Sequence, residues 1–168
     1  MLQVQQAIID DVYQAGILAE CSRDVFAGRG WLTASYYPGA AAPPADDAAV
    51  HSVVIKAKLP AVWGKPVGFA TDHAQKPTGL YLSPGAIGVV TVPAALVGKG
   101  YQVLVGAQVS DNKWKSTVKR MDRVTVRYEI RDATTLIANP LGGGVYIMIP
   151  CVISIYWVFT PRISAREH

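Results

Sequence analysis

Three histidines, His51, His73 and His168, and two cysteines, Cys21 and Cys151, are this chain's stock of soft metal ligands and strong nucleophiles. Zinc hydrolysis from a helix needs two histidines one turn apart and a glutamate as base, the HExxH pattern, because residues four apart share a helical face. The 168 residues contain no HExxH, and no two histidines stand at ligand spacing. No catalytic residue, metal or other cofactor is therefore assigned. The cysteines lack CxxC or zinc-finger spacing and read as buried thiols acting as small hydrophobes. A disulfide stays open, since sequence does not carry the geometry it requires. Asp72-His73 has the residue types of an acid–base pair, but adjacent side chains in an extended chain point apart. No nucleophile accompanies them, so a solvated loop is expected there.

Two glycine motifs invite a phosphate reading and do not support it. Gly98-Lys99-Gly100 lacks the GxxxxGK[ST] pattern and a following helix, so it reads as a hairpin turn. Gly142-Gly143-Gly144 precedes apolar strand-like residues and reads as a loop, not a dinucleotide fingerprint. Lys113, Lys115, Lys119, Arg120, Arg123, Arg127 and Arg131, with Trp114 and Tyr128 among them, have the ingredients for nucleic-acid binding. Asp111, Asp122, Glu129 and Asp132 dilute that field, so a charged sheet face is expected and nucleic acid is not a predicted partner. The remaining chemistry is stacking, since sugars lay apolar faces on aromatic rings. Trp31, Trp63, Trp114, Trp157, Tyr36 and Tyr37 supply candidate rings, most of them expected in the core. Trp114, among lysines, is the first choice as a glycan-binding residue and Trp63 the second.

The elements that must position these residues are short. Eleven prolines, fifteen glycines and many Val and Ile predict short strands and frequent turns. Half the residues are hydrophobic and 17% are charged, which excludes disorder. The net charge of +4 permits an acidic partner without demanding one. Val4, Ile8, Val12 and Ala15 fall on one helical face, joined by Ile9 and Leu18, with Gln5, Gln6, Asp10 and Asp11 mostly opposite, which predicts an amphipathic helix over about residues 3–20 packed on its own sheet. Trp31–Tyr37 leans toward β structure, and Asp72–Pro77 reads as a loop. Strands are expected over His51–Leu59, Trp63–Thr71, Leu80–Tyr81, Ile87–Val92, Tyr101–Val105, Val124–Ile130 and Val145 onward. Val53, Ile55, Ala57 and Leu59 in the first, and Val124, Val126, Tyr128 and Ile130 in the sixth, alternate with more polar neighbours. Tyr101–Val105 should have one covered face, and Ser83-Pro84-Gly85 and Asn139-Pro140 should turn the chain. The apolar run Val145–Phe159 is fifteen residues broken by Pro150, short of the roughly 20 a membrane helix needs. Two core strands are expected in it, and no membrane span.

The series TGLYLSPG, VVTVP, GKGYQVLVGA, KWKSTVKRMDRVTVRYEI and NPLGGGVYIMIP, from about Tyr37 to Pro150, resembles the front part of M60-like (enhancin-like) peptidases. It is similar also to the non-proteolytic, channel-associated relatives of that family. The resemblance implies a β-sandwich that precedes a zinc catalytic part, and substrates that are mucin-type or other glycosylated proteins. It stops before the part that carries HExxH. The expected fold is a mainly β, jelly-roll-like antiparallel β-sandwich with one N-terminal α-helix. The expected division is a helical lead-in at 1–30, the sandwich at 31–160 and a polar tail at 161–168. Family members are often secreted or held at the cell surface, yet no secretory signal is visible at this N-terminus. A fragment and an intracellular protein both remain open.

The expected function is a non-catalytic accessory domain that supports or positions a catalytic part, with a stand-alone carbohydrate-binding module as the alternative. The expected partners are glycans or glycoproteins, a catalytic metallopeptidase part, or a second copy of the chain. The last arises because Val152–Phe159 must bury itself, either by completing the sandwich or against another molecule.

Overall fold

The computed structural model describes residues 1–14, 25–43, 50–56, 73–106, 112, 114, 116, 121–150, 158–159 and 162–166. These form a mainly β, antiparallel sandwich preceded by one helical segment. Helix α1 (Leu2–Ile8) runs directly into a π-helical turn, Ile9–Gln14, and a 3-10 turn follows at Leu32–Ser35. The strands are β1 (Val50–Ser52), β2 (Ile55–Lys56), β3 (His73–Leu82), β4 (Ile87–Thr91), β5 (Gln102–Val105), β6 (Val126–Glu129), β7 (Thr134–Ala138), β8 (Gly143–Pro150), β9 (Val158–Phe159) and β10 (Arg162–Arg166). One sheet has the order β1-β10-β4-β7, a second β3-β8-β5-β6, and β2 pairs with β9 alone.

One cluster of buried side chains joins the two larger sheets. Ile87, Val90, Ile137 and Ile163 come from the first, and Val103, Val105, Val126, Tyr128, Val145, Ile147 and Ile149 from the second. β-Branched residues dominate because they fit a pleated, covered surface. The alternation expected after residue 124 is present: Val126, Tyr128 and Ile130 are buried while Glu129 and Arg131 are exposed. Thr125 breaks it, being fully buried. The predicted phase over 52–56 also appears, with Ile55 buried between exposed Val54 and Lys56. That stretch is two strands, however, interrupted at Val53-Val54.

Several elements differ from the sequence expectation. β3 begins at His73, so 73–77 is strand and not loop. It is the edge of its sheet, where the missing N–H of Pro77 is tolerated, and its pairing from His73↔Pro150 to Pro77↔Tyr146 overrides its polar composition. Trp31–Tyr37 contains a 3-10 turn instead of extended chain. β5 is covered on both faces: Leu104 and Met148 are fully buried but lie outside the main cluster. Gly98–Gly100 is not a hairpin turn, because β4 and β5 belong to different sheets and the chain crosses between them there. The triple glycine opens β8 at Gly143 instead of forming a free loop. Arg162–Arg166, within the stretch expected as a polar tail, forms β10 between β1 and β4.

Only part of the predicted apolar face turns inward. Ile9 is buried and Val12 packs against the core as expected, but Val4 is 62% and Ile8 36% exposed, and Gln6 and Tyr13 are buried in their place. Ile9 and Tyr13 enter the core, and Tyr13 meets Phe26 edge-to-face with ring centroids 5.4 Å apart. Polar Gln6 faces inward because the neighbouring chain offers donors there: its Oε1 accepts the Arg123 N–H at 2.9 Å.

Candidate functional site

The motifs of the central stretch meet at one end of the sandwich. Asn139 is fully buried. Its Nδ2 donates to the carbonyls of Val105 (3.2 Å) and Val124 (3.0 Å), and its Oδ1 accepts from the Leu141 N–H at 2.9 Å. The Asn139 carbonyl takes the Gly142 N–H at 2.8 Å. One side chain thus ties the end of β5, the approach to β6 and the turn into β8. Beside it, the Tyr128 hydroxyl donates to the Ala138 carbonyl at 2.6 Å and accepts the Ala138 N–H at 3.2 Å. Burial pushes the Tyr128 hydroxyl well above the usual tyrosine pKa, the Ala138 hydrogen bond opposing this and Tyr13 adding to it.

The Thr-Gly-Leu of the TGLYLSPG motif is a bulge. Register slips between Pro77 and Tyr81, and buried Thr78 bridges the gap. Its hydroxyl donates to the Val145 carbonyl at 2.7 Å and accepts the Leu80 N–H at 3.2 Å, while Gly79 takes a positive φ of 80°. Ser83-Pro84-Gly85 then turns against 28–31. The Gly28 N–H donates to the Gly85 carbonyl at 3.0 Å and the Trp31 N–H to the Pro140 carbonyl at 2.8 Å. Gly85 has φ 78°, and a Cβ there would lie 2.2 Å from the Gly30 nitrogen.

This junction floors a surface depression of about 420 Å³ lined by Gly28, Gly30, Trp31, Leu32, Ser35, Ala40, Ala41 and Pro84. Leu32 and Tyr36 nearby are almost fully exposed. Tyr81 donates its hydroxyl to the Gly39 carbonyl and Ser83 to the Ala42 carbonyl (3.0 Å), strapping 39–42 to β3. Sequence reasoning did not single this depression out. The pairing of Gly28-Arg29-Gly30-Trp31 with a distant Ser-Pro-Gly was its only signal, and nothing in one sequence says that two such turns meet.

Of the two glycan-binding candidates, Trp114 is 72% exposed, and Trp63 lies outside the described residues. Trp31 is half-buried against the core. Cys21, Cys151, Asp72, His168 and the whole strand expected over Trp63–Thr71 also lie outside the described residues. His73 Nε2 sits 3.0 Å from the Gly100 carbonyl, bracing β3 against the crossover, and His51 is exposed on β1. Among the described residues there is no group of three or more His, Cys, Asp or Glu able to hold a metal, and no helix long and apolar enough to cross a membrane. The basic run contributes structure: Arg123 binds Asp10, the Gln14 Oε1 (3.3 Å) and the Thr125 carbonyl, and Arg131 pairs with Glu129 at 2.8 Å. Burial, and then the Arg123 cation, lower the Arg127 pKa.

The bulge, the Ser83–Gly85 turn, the Asn139 tie and strands β3–β8 all lie in residues 56–152, which match the N-terminal domain of M60-like peptidases; the chain belongs to that family. Among curated relatives it is similar to a TRPM8 channel-associated factor homolog of Danio rerio, with 37% identity over 73 residues. It is similar also to TRPM8 channel-associated factor 3 of Rattus norvegicus, with 30% identity over 84 residues. The aligned parts are 44% and 50% of this chain but 8% and 9% of those proteins. Among solved structures it is similar to the IMPa metallopeptidase from Pseudomonas aeruginosa, with 12% identity and a TM-score of 0.44 over 71% of this chain and 12% of that one.

Proposed function

We propose that this sandwich is a non-catalytic accessory domain that supports or positions a catalytic part lying outside these 168 residues. The observation that carries the reading is the match of 56–152 to a domain named for its N-terminal place in peptidases. The chemistry of the chain is consistent with it: HExxH does not occur in the sequence, and the family motifs supply hydrogen bonds and tight turns at a sheet junction, not reactive groups. The partner this implies is a metallopeptidase part acting on glycosylated proteins. Incubation with mucin and with casein in the presence of zinc should leave both substrates intact. Chelator-sensitive cleavage that co-purifies with the chain would overturn the reading.

A second reading, a stand-alone carbohydrate-binding module, is favoured by one observation, the 72% exposure of the Trp114 side chain. A ring so presented can stack on a sugar face, with Trp63 as the second candidate. Glycan-array binding that disappears in Trp114→Ala, with the circular dichroism spectrum unchanged, would put this reading ahead. An array without signal leaves the accessory reading ahead.

A further inference from the structure

The outer edge of the second sheet is closed by side chains. β6 ends the order β3-β8-β5-β6, so among the described residues one side of its backbone has no neighbouring strand. The Gln14 carboxamide covers it: Oε1 accepts the Arg127 N–H at 2.9 Å and Nε2 donates to the Arg127 carbonyl at 2.8 Å. A carboxamide carries one peptide group's donor and acceptor, so this pair of bonds reproduces what one residue of an antiparallel neighbour would make. Gln6, Asp10 and Gln14 recur every four residues and lie along the same edge. Gln6 takes the Arg123 N–H, Asp10 pairs with the Arg123 guanidinium, and Gln6 Nε2 also donates to Asp10 at 3.1 Å. Exposed sheet edges recruit other strands unless they are covered.

The covered edge is complementary to itself. Side chains of Arg127 and Glu129 share the outer face of β6, while Val126 and Tyr128 enter the core. In an antiparallel pair of β6 strands related by a two-fold axis at Tyr128, each Arg127 stands opposite Glu129 of the second copy. The Arg127 N–H and carbonyl already point outward, as their bonds to Gln14 show. Such an interface closes at two copies. The cap is itself an irregular element, since Ile9–Gln14 is π-helical, a form that occurs mostly in short stretches at functional positions.

We propose that the N-terminal helical segment is a displaceable cap on β6, and that the occupant of the uncapped edge is β6 of a second copy of this chain. This goes beyond the accessory role and does not depend on it. The test uses the full chain carrying Gln6→Ala, Asp10→Ala and Gln14→Ala, read by sedimentation equilibrium and by hydrogen exchange at the Arg127 amide. The native chain should be monomeric with a protected amide. The triple variant should dimerise, and its Arg127 amide should exchange faster in the dilute, monomeric limit. Adding Arg127→Glu places like charges at both cross-strand positions and should weaken the dimer about tenfold. Adding Glu129→Arg to that variant should restore it. Four results overturn the proposal: an Arg127 amide still protected in a monomeric triple variant, a dimer indifferent to Arg127→Glu, open-ended aggregation, or a monomer whose amide has lost protection, which leaves the edge to a strand from another protein. Should the triple variant lose its circular dichroism spectrum, Gln14→Leu alone, which keeps the side-chain bulk, decides by the same two readouts.

Discussion

Asn139→Ala is the substitution whose cost the structure specifies best. The carboxamide makes three hydrogen bonds, all to backbone groups: the carbonyls of Val105 and Val124 and the N–H of Leu141. The residue has no solvent exposure, so the orphaned groups cannot turn to bulk water. Each buried group left unpaired costs about 1–3 kcal/mol, and a water entering the vacated space recovers part of that, leaving a loss of about 3 kcal/mol. Against a total stability of about 5–15 kcal/mol this is a large fraction. For a chain of this size it corresponds to a Tm lower by about 6–12 °C. Urea unfolding followed by tryptophan fluorescence, with thermal melts beside it, measures the change. Asn139→Asp sharpens the test. It keeps an acceptor for Leu141 but turns an oxygen on the two carbonyls, so at neutral pH it should be worse than alanine. Burial against carbonyls raises that carboxyl's folded pKa above its unfolded value, so the folded state binds the proton more tightly. The aspartate deficit should therefore shrink as pH falls through the folded pKa. An Asn139→Ala loss below about 1 kcal/mol, the net worth of a single ordinary bond, would refute the claim that this side chain ties the junction.

Tyr128→Phe leaves the Ala138 N–H and carbonyl without the hydroxyl and should cost about 2 kcal/mol in the same urea assay. Burial is the first cause raising the hydroxyls of Tyr128, Tyr13 and Tyr101 above the ordinary tyrosine pKa of about 10. Folding stability should therefore be full below that pH and fall as pH rises beyond it, with a shallower fall in Tyr128→Phe. Gly85→Ala, with φ 78° and a new Cβ 2.2 Å from the Gly30 nitrogen, should lose about 3 kcal/mol or more. Gly28→Ala, with φ 67° but open space around it, should lose only about 1–2 kcal/mol, and equal losses would mean that the close approach at Gly85 carries no weight. Ending the chain at Phe159 removes β10 from between β1 and β4 and should give an insoluble or non-cooperatively melting product by differential scanning calorimetry.

How much the sequence disclosed depended on how local the cause was. Ile87–Thr91 was legible from its short β-branched run, and Val126–Glu129 because burial on one face writes alternation into four residues. Pro93, placed just past β4, marked the strand's end by a purely local rule. The failures share a different cause. His73–Pro77 looks like loop because nothing within those residues favours a strand; β8, seventy residues on, supplies the ladder. Val4 and Ile8 form a convincing apolar stripe, yet the surface they meet demanded carboxamides at Gln6 and Gln14 for the Arg123 and Arg127 backbone. Arg162–Arg166 has polar ends and reads as a tail, yet Ile163 is buried and both its neighbours are strands. Of the glycan-binding candidates, the prominence of Trp114 was legible from its lysine neighbours. The depression beside Trp31 was not, since it exists only where turns from three parts of the chain come together.

The geometry also bears on what counts as the working unit. Residues 56–152 match the family's N-terminal domain, but they do not hold the strands that finish the first sheet. β4 pairs on one side with β7, inside that span, and on the other with β10, outside it, which in turn pairs with β1. The Ser83–Gly85 turn likewise packs against Gly28 and Gly30, and the β6 edge against Gln14. Cut to the matched span, the sandwich would expose an unpaired β4 edge, an uncapped β6 edge and the core side of Ile87 and Val90, each a site for non-native pairing. The residues that complete this frame therefore lie as much in the flanks as in the matched span.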